Sequence, residues 1–245
     1  MVTSEKTPAA DEIDHQEPMG GSVAGRLNWL RAGVLGANDG IVSTAALVLG
    51  FAGATTARGP ILLAGVVGLL AGAMSMAVGE FVSVSTQRDT ERAVLEQERR
   101  ELVEMPEQEL AELAGLYRDK GLDADLAHQV AIQLTAHDAL GAHAEAELGI
   151  DPNELTNPSH AALASFIAFV VGAAVPLLGV VFSPRAWIAW ITVLAVGAAL
   201  AVTGWLSARL GQAPAGRAIA RNVIGGVLAM AVTYGLGRLV GGWIG

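Results

Sequence analysis

The chain has 245 residues, of which 52% are hydrophobic and 16% are charged, and its formal net charge is −9. Soluble domains carry about 25% charged residues, and here the deficit comes from a few long apolar runs, which is typical of a polytopic membrane protein. The absence of cysteine excludes disulfides and thiolate metal sites, and the acidic balance argues against a nucleic-acid partner.

The first 25 residues are polar and acidic and lack the apolar core of a signal peptide, so they are predicted to be a disordered tail. Two long apolar runs follow. Residues 32–57 carry one charge, Asp39, and residues 59–87 carry one charge, Glu80. Each run is long enough to cross a hydrocarbon layer about 30 Å thick, so they are predicted to be the first two membrane spans.

Residues 88–160, the acidic block, contain 17 of the 24 acidic residues, six of the 15 basic ones and four of the five histidines. The net charge of the block is therefore −11. Apolar residues recur in it at helical spacing, and proline or glycine marks the end of each segment. The pattern predicts three amphipathic helices that pack on a small shared core, over residues 88–105, 107–118 and 123–148.

The C-terminal part returns to apolar sequence, with uncharged runs at 161–184 and 186–208 and a fifth span from about Ile219 to Ile244. Most arginines that flank the spans fall on the side of the acidic block, which places that block and the N-terminus in the cytosol. The sequence predicts an all-α polytopic membrane protein in four parts: a disordered cytosolic tail at 1–25, spans one and two at 26–87, a cytosolic three-helix domain at 88–160, and spans three to five at 161–245.

Three pairs of glycines spaced four residues apart lie in the predicted spans. This spacing lets helices approach closely in lipid, either inside one bundle or across a dimer interface, and the sequence leaves both alternatives open. The pairs are Gly36 and Gly40, Gly68 and Gly72, and Gly237 and Gly241.

Asp39 and Glu80 are the acidic residues inside the predicted spans, and no lysine or arginine lies at mid-membrane depth to neutralise them. A carboxylate in lipid is costly unless it is paired, solvated or protonated, so a bound cation or a proton is the expected partner. The alternatives are that Asp39 caps a broken helix and that Glu80 is an interfacial charge. Met76 lies one turn before Glu80 on the same helix face, where its thioether would favour the binding of Fe²⁺. The alternative is that Met76 only packs against other apolar side chains.

Each helix of the acidic block carries two ligand-type side chains spaced three or four residues apart, on one face. Three helices that present such pairs to a common centre predict a multi-carboxylate metal site, as in helix bundles with di-iron centres. The alternative is that these charged faces are merely solvated. Glu145 is expected to point away from this centre, and His128, His137 and His160 are expected at the surface. The pairs are Glu98 and Glu101, Glu109 and Glu112, and His143 and Glu147.

Three segments resemble the vacuolar iron transporter family, including its bacterial members: NDGIVSTAALVLGFAGA in the first span, AGAMSMAVGEFVSVSTQRD in the second, and the glutamate-rich insert ending in AELGI. The resemblance runs from about Asn28 to the C-terminus. It implies five spans, a cytosolic three-helix metal-binding domain and a homodimer with its pathway at the dimer interface. It also implies export of Fe²⁺, and often Mn²⁺, from the cytosol in exchange for protons.

The resemblance places Asp39 and Met76 in the transport pathway and five glutamates in the cytosolic metal site: Glu98, Glu101, Glu109, Glu112 and Glu147. The chain departs from the eukaryotic members at two places. Gly68 stands where they carry a second-span glutamate, for which Glu80 is the candidate substitute. His143 and Ala144 stand where they carry a methionine pair.

The sequence thus predicts a dimeric antiporter of divalent metal ions and protons in the cell membrane, with the lipid bilayer as its setting. We expect neither an enzymatic activity nor a cofactor beyond the transported ion. One alternative is a membrane-anchored iron-oxidising protein, which is disfavoured because the insert lacks Glu-x-x-His motifs. The other is a metal sensor without transport, against which the acidic residues in the spans count.

Overall fold

A computed structural model describes residues 23–153 and 155–244 of the chain, so the predicted tail lies outside the described residues up to position 22. The described residues form seven α-helices joined by short turns. A π-helix, Ala144–Leu148, continues the fourth, and a 3₁₀ turn, Arg185–Trp187, precedes the sixth. The helices are α1 (Val23–Ala54), α2 (Arg58–Glu104), α3 (Pro106–Asp119), α4 (Ala124–His143), α5 (Pro158–Phe182), α6 (Ile188–Leu210) and α7 (Ala215–Ile244).

Five of these helices, namely α1, α2, α5, α6 and α7, are long and apolar enough to cross a membrane. Their inner faces form an apolar core that includes Ile41, Val48, Val196 and Leu200. Many of their outer faces are apolar as well, as expected where lipid rather than water surrounds the bundle. The prediction of an all-α polytopic membrane protein with five spans is therefore confirmed.

Helix α2 passes the predicted boundary between residues 87 and 88 without a break. With 47 residues it is about 70 Å long at 1.5 Å per residue, so one rod joins the second span to the acidic block. No proline lies between Pro60 and Pro106 to interrupt it. Pro106 is the first residue of α3. Proline suits this position because the amide hydrogen that it lacks would have no partner within the helix.

The acidic block departs from prediction at its third helix. One continuous helix over 123–148 was expected, and this is wrong. Asp138 has φ −156° and ψ 93°, which interrupts α4, and the last turn is a π-helix. The Asp138 carboxylate offers the backbone an alternative to the helical hydrogen bond, because it accepts from the amide of Gly141 at 3.0 Å.

The spaced glycine pairs pack helices within the single chain. A Cβ on Gly40 would overlap the carbonyl oxygen of Phe169 in α5, and one on Gly237 would overlap that of Gly50 in α1. Gly72 faces the ring of Phe169 and Gly68 the side chain of Leu47. Of the two alternatives, internal packing is confirmed for all three pairs.

The contact between α1 and α5 gives a stability test. Gly172→Ala would push a methyl group into the carbonyl of Ala37, whereas the Cβ of a Gly197→Ala variant meets no atom within 4 Å. We expect Gly172→Ala to lose about 1–3 kcal/mol of stability through overpacking. Gly197→Ala should be neutral or slightly stabilising because alanine favours helix. Thermal unfolding of the detergent-purified protein measures both; equal midpoints would contradict the described α1–α5 contact.

Candidate metal site

Three helices of the acidic block bring ligand-type side chains to one buried point. Glu98 comes from α2, Glu109 from α3 and His143 from the end of α4, and one ligand atom of each lies within 4.8 Å of the others. Glu98 is one turn from the buried Leu95, and Glu109 one turn from the buried Leu113. The helix faces that bury the leucines therefore also bury the glutamates.

Nδ1 of His143 is the centre of this cluster. It lies 2.9 Å from Glu98 Oε1, 3.7 Å from Glu109 Oε2 and 3.9 Å from Glu147 Oε2. Separations of about 3 Å between donor atoms are those of ligands that share an ion with bonds of about 2.1 Å. His143 and Glu98 are therefore spaced as two ligands of one metal ion, and Glu109 and Glu147 each place an oxygen within 4 Å of the same nitrogen.

The buried polar atoms of the cluster lack hydrogen bonds. Despite the 2.9 Å approach, neither ring nitrogen of His143 nor Oε1 of Glu98 has a hydrogen-bond partner. Buried polar atoms in folded proteins are nearly always satisfied. The side chain of His143 is fully buried and that of Glu98 is only 5% exposed, which makes the missing partners costly.

The cluster also lacks fixed positive charge. Burial, followed by the charges of Glu147, Glu109, Glu101 and Glu112, raises the pKa of Glu98 to about 7. Burial is likewise the main cause of the raised pKa of Glu109 and of Glu147. Burial lowers the pKa of His143, so its imidazole is a neutral lone-pair donor near pH 7. Among the described residues, the one ion pair between an arginine or lysine and a carboxylate joins Arg99 to Glu96. Both side chains are exposed, and neither belongs to the cluster.

The structure thus brings together the six side chains predicted for the cytosolic site: His143, three glutamates around its Nδ1, and two glutamates as neighbouring charges. Glu101 is half-buried and Glu112 is exposed, and both raise the pKa of Glu98 through their charge. Glu145 is exposed, as are three histidines outside the cluster: His128, His137 and His160.

The predicted pathway residues occupy α1 and α2. Helix α1 is continuous from Val23 to Ala54, so the alternative that Asp39 caps a broken helix is wrong. Asp39 is exposed on the surface of the single chain, next to Gly40, which packs on Phe169. Met76 packs on the cluster of Ala73, Phe169 and Ala173, and Glu80, one turn on, is half-buried. Asp39 and Met76 therefore lie on helices that meet at Phe169.

Three polar side chains of α1 and α5 to which the sequence assigns no role are also buried without partners. Oδ1 of Asn38 is buried without a hydrogen-bond partner beside Asp39, and the hydroxyls of Thr44 and Ser165 are buried in the same way. Thr44 and Ser165 face the bundle interior, where their residues are fully buried. An amide in an otherwise apolar span was the available signal for Asn38; hydroxyls are too common in spans to stand out.

Comparison with known proteins matches residues 30–238 to the VIT family. The chain is 44% identical over 233 residues to a vacuolar iron transporter of Acanthamoeba castellanii, covering 95% of this chain and 84% of that protein. It is 41% identical over 217 residues to vacuolar iron transporter homolog 2 of Arabidopsis thaliana, covering 88% and 86%. Homolog 5 of Oryza sativa subsp. japonica is 39% identical over 238 residues, covering 96% and 88%. The matched range includes the spans and the acidic block.

The raised pKa of Glu98 predicts a pH-dependent metal affinity. The metal must displace the proton that Glu98 carries below its pKa of about 7. Affinity for Mn²⁺ should therefore rise with pH by roughly tenfold per unit until about pH 7 and then level off. Glu98→Gln should bind more weakly and with a flatter pH profile. Calorimetric titration between pH 5.5 and 8 measures this, and a wild-type affinity independent of pH would contradict it.

The central position of His143 predicts a specific loss. His143→Ala removes the one nitrogen ligand of the cluster. It should weaken Mn²⁺ binding by at least about tenfold, because mutating even a residue that only supports a metal ligand typically has an effect of this size. His128→Ala is the matched control, because His128 is an exposed histidine on the same helix. Equal affinities for the two variants, at equal helix content, would remove His143 from the site.

Proposed function

The chain belongs to the VIT family, and from this premise we propose that it transports divalent metal ions, Fe²⁺ foremost and Mn²⁺ second, out of the cytosol. The names of its relatives, vacuolar iron transporters and their homologs, support this cargo. The observation that carries the proposal is the buried cluster of carboxylates around His143, which has no fixed cation and is joined through α2 to a membrane span.

Ion capture is the role we assign to the acidic block. Its net charge of −11 raises the local concentration of cations. Glu98, Glu109, His143 and Glu147 then supply oxygen and nitrogen donors, a set that suits Fe²⁺ and Mn²⁺. We infer transport rather than iron oxidation, because the cluster in the described residues holds one histidine where a di-iron carboxylate site uses two.

Passage through the membrane is the role we assign to Asp39, Met76 and Glu80. Helix α2 carries Met76 and Glu80 on the same rod as Glu98, so the capture site and the pathway share one element. A carboxylate held in lipid needs a metal ion or a proton as counter-charge. Competition of both for Asp39 would couple metal export to proton entry.

A homodimer completes the proposal. One stripe of α2 in the second span is exposed on the single chain, at Val67, Leu70, Met74 and Val78. These residues recur at three- and four-residue spacing, as a helix–helix contact requires. We place the N-terminus and the acidic block in the cytosol and the protein in the cell membrane.

Flux across liposomes tests the proposal. With an acidic lumen and the acidic block outside, the wild-type protein should move Fe²⁺ inward under anaerobic conditions, as followed by quenching of a trapped metal-sensitive dye. Asp39→Asn should slow this flux by at least about tenfold because the counter-charge for the ion is lost. Glu145→Gln, an exposed acidic residue of the acidic block, should leave it unchanged.

The two possible failures have different meanings. Wild-type liposomes no more permeable to Fe²⁺ than empty ones would contradict transport itself. Wild-type flux that persists unchanged in Asp39→Asn would contradict only the assigned pathway. An equal rate of Fe²⁺ flux with and without the pH gradient would contradict the exchange with protons.

A further inference from the structure

The break of α4 at Asp138 has no part in the proposed transport cycle. The backbone of Asp138 is extended, and its carboxylate accepts a hydrogen bond from the amide of Gly141, three residues on, at 3.0 Å. This is the bond that an N-cap residue makes at the start of a helix. Asp138 therefore ends one helical segment and begins the next.

Gly141 is fitted to this cap. A Cβ at position 141 would overlap the carboxylate of Asp138. Any larger residue would push the carboxylate away from the amide that it accepts from. Asp138 and Gly141 thus form one local unit.

The consequence of the break is a change of helix face. Ala127 and Ala131 are the buried residues of the first segment and define its inner face. At about 100° per residue, an unbroken α-helix would place Asp138 at the middle of that face. It would place His143 roughly 140° and Glu147 roughly 180° away, towards solvent.

The structure shows the opposite arrangement for Asp138 and His143, and Glu147, although exposed, places Oε2 3.9 Å from His143 Nδ1. Asp138 is exposed and His143 is fully buried, with its Nδ1 2.9 Å from Glu98. Glu145, which an unbroken helix would turn inward, is exposed. Restarting the helix at Asp138, followed by the π-helix Ala144–Leu148, has therefore turned the second segment by nearly half a revolution.

We propose that Asp138 is a positioning residue, whose cap on Gly141 restarts the helix so that His143 and Glu147 face the glutamates of α2 and α3. The effect of this positioning on metal binding rests on the proposed function, whereas the effect of Asp138 on the orientation of His143 does not. Asp138→Ala removes the cap and continues the alanine stripe of the first segment, which favours the unbroken helix. Asp138→Asn keeps an oxygen that can accept from Gly141.

Histidine labelling without metal tests the orientation. In the full-length protein, diethyl pyrocarbonate should label His143 at least about fivefold more slowly than the exposed His128, His137 and His160, and Asp138→Ala should abolish most of this protection. Asp138→Asn should keep it. Asp123→Ala is the matched control, because Asp123 caps the start of α4 through Leu126 and is remote in sequence from His143.

Protection of His143 that survives in Asp138→Ala would overturn the proposal. If that variant fails to fold, Gly141→Ala takes its place and is expected to expose His143 by displacing the same carboxylate. Protection that survives in Gly141→Ala would then overturn it.

A second readout uses Mn²⁺ and pulsed electron paramagnetic resonance. The wild-type protein and Asp123→Ala should show coupling of the ion to an imidazole nitrogen, and Asp138→Ala should lose it. Loss of His143 protection in Asp138→Ala together with a wild-type protein that binds no Mn²⁺ would support the positioning role and contradict the proposed function. Nitrogen coupling that persists in Asp138→Ala would contradict the positioning role alone.

Discussion

The structure of the acidic block depends on one constraint: carboxylates that repel each other gather around a buried histidine, and no arginine or lysine among the described residues pairs with them. Glu98, Glu109 and Glu147 surround an imidazole that burial keeps neutral, so the cluster contains acceptors and no permanent cation. Burial, and after it the repulsion from neighbouring carboxylates, raises the pKa of Glu98 to about 7, so protons relieve the arrangement at lower pH. Near neutral pH a divalent ion relieves it better, because one ion neutralises two carboxylates.

The rest of the fold holds this unfavourable arrangement in place and connects it to the membrane. Helix α2 is a single rod of 47 residues, so Glu98 is fixed relative to Met76 and Glu80 by helical geometry alone. In the bundle, glycines such as Gly40 and Gly172 bring α1 and α5 into backbone contact. Asp39 directly precedes Gly40, so the packing of small residues sets its position in the proposed pathway.

Much of the fold could be predicted from the sequence because apolar and acidic residues are segregated along the chain. Long uncharged runs predicted five spans, and three- or four-residue spacing predicted which glutamates share a helix face. The continuity of α2 was missed because a change of composition at residue 88 does not break a helix. The break at Asp138 was missed because one carboxylate decides between a helical bond and a cap, and the spacing of apolar residues does not show which of the two forms.

X-ray absorption at the iron edge of anaerobically Fe²⁺-loaded protein tests the central claim most directly. The account predicts retained iron with oxygen and nitrogen neighbours at about 2.1 Å and outer-shell scattering from one imidazole, which disappears in His143→Ala. Protein that retains no iron, or an iron spectrum identical in the wild type and His143→Ala, would contradict it.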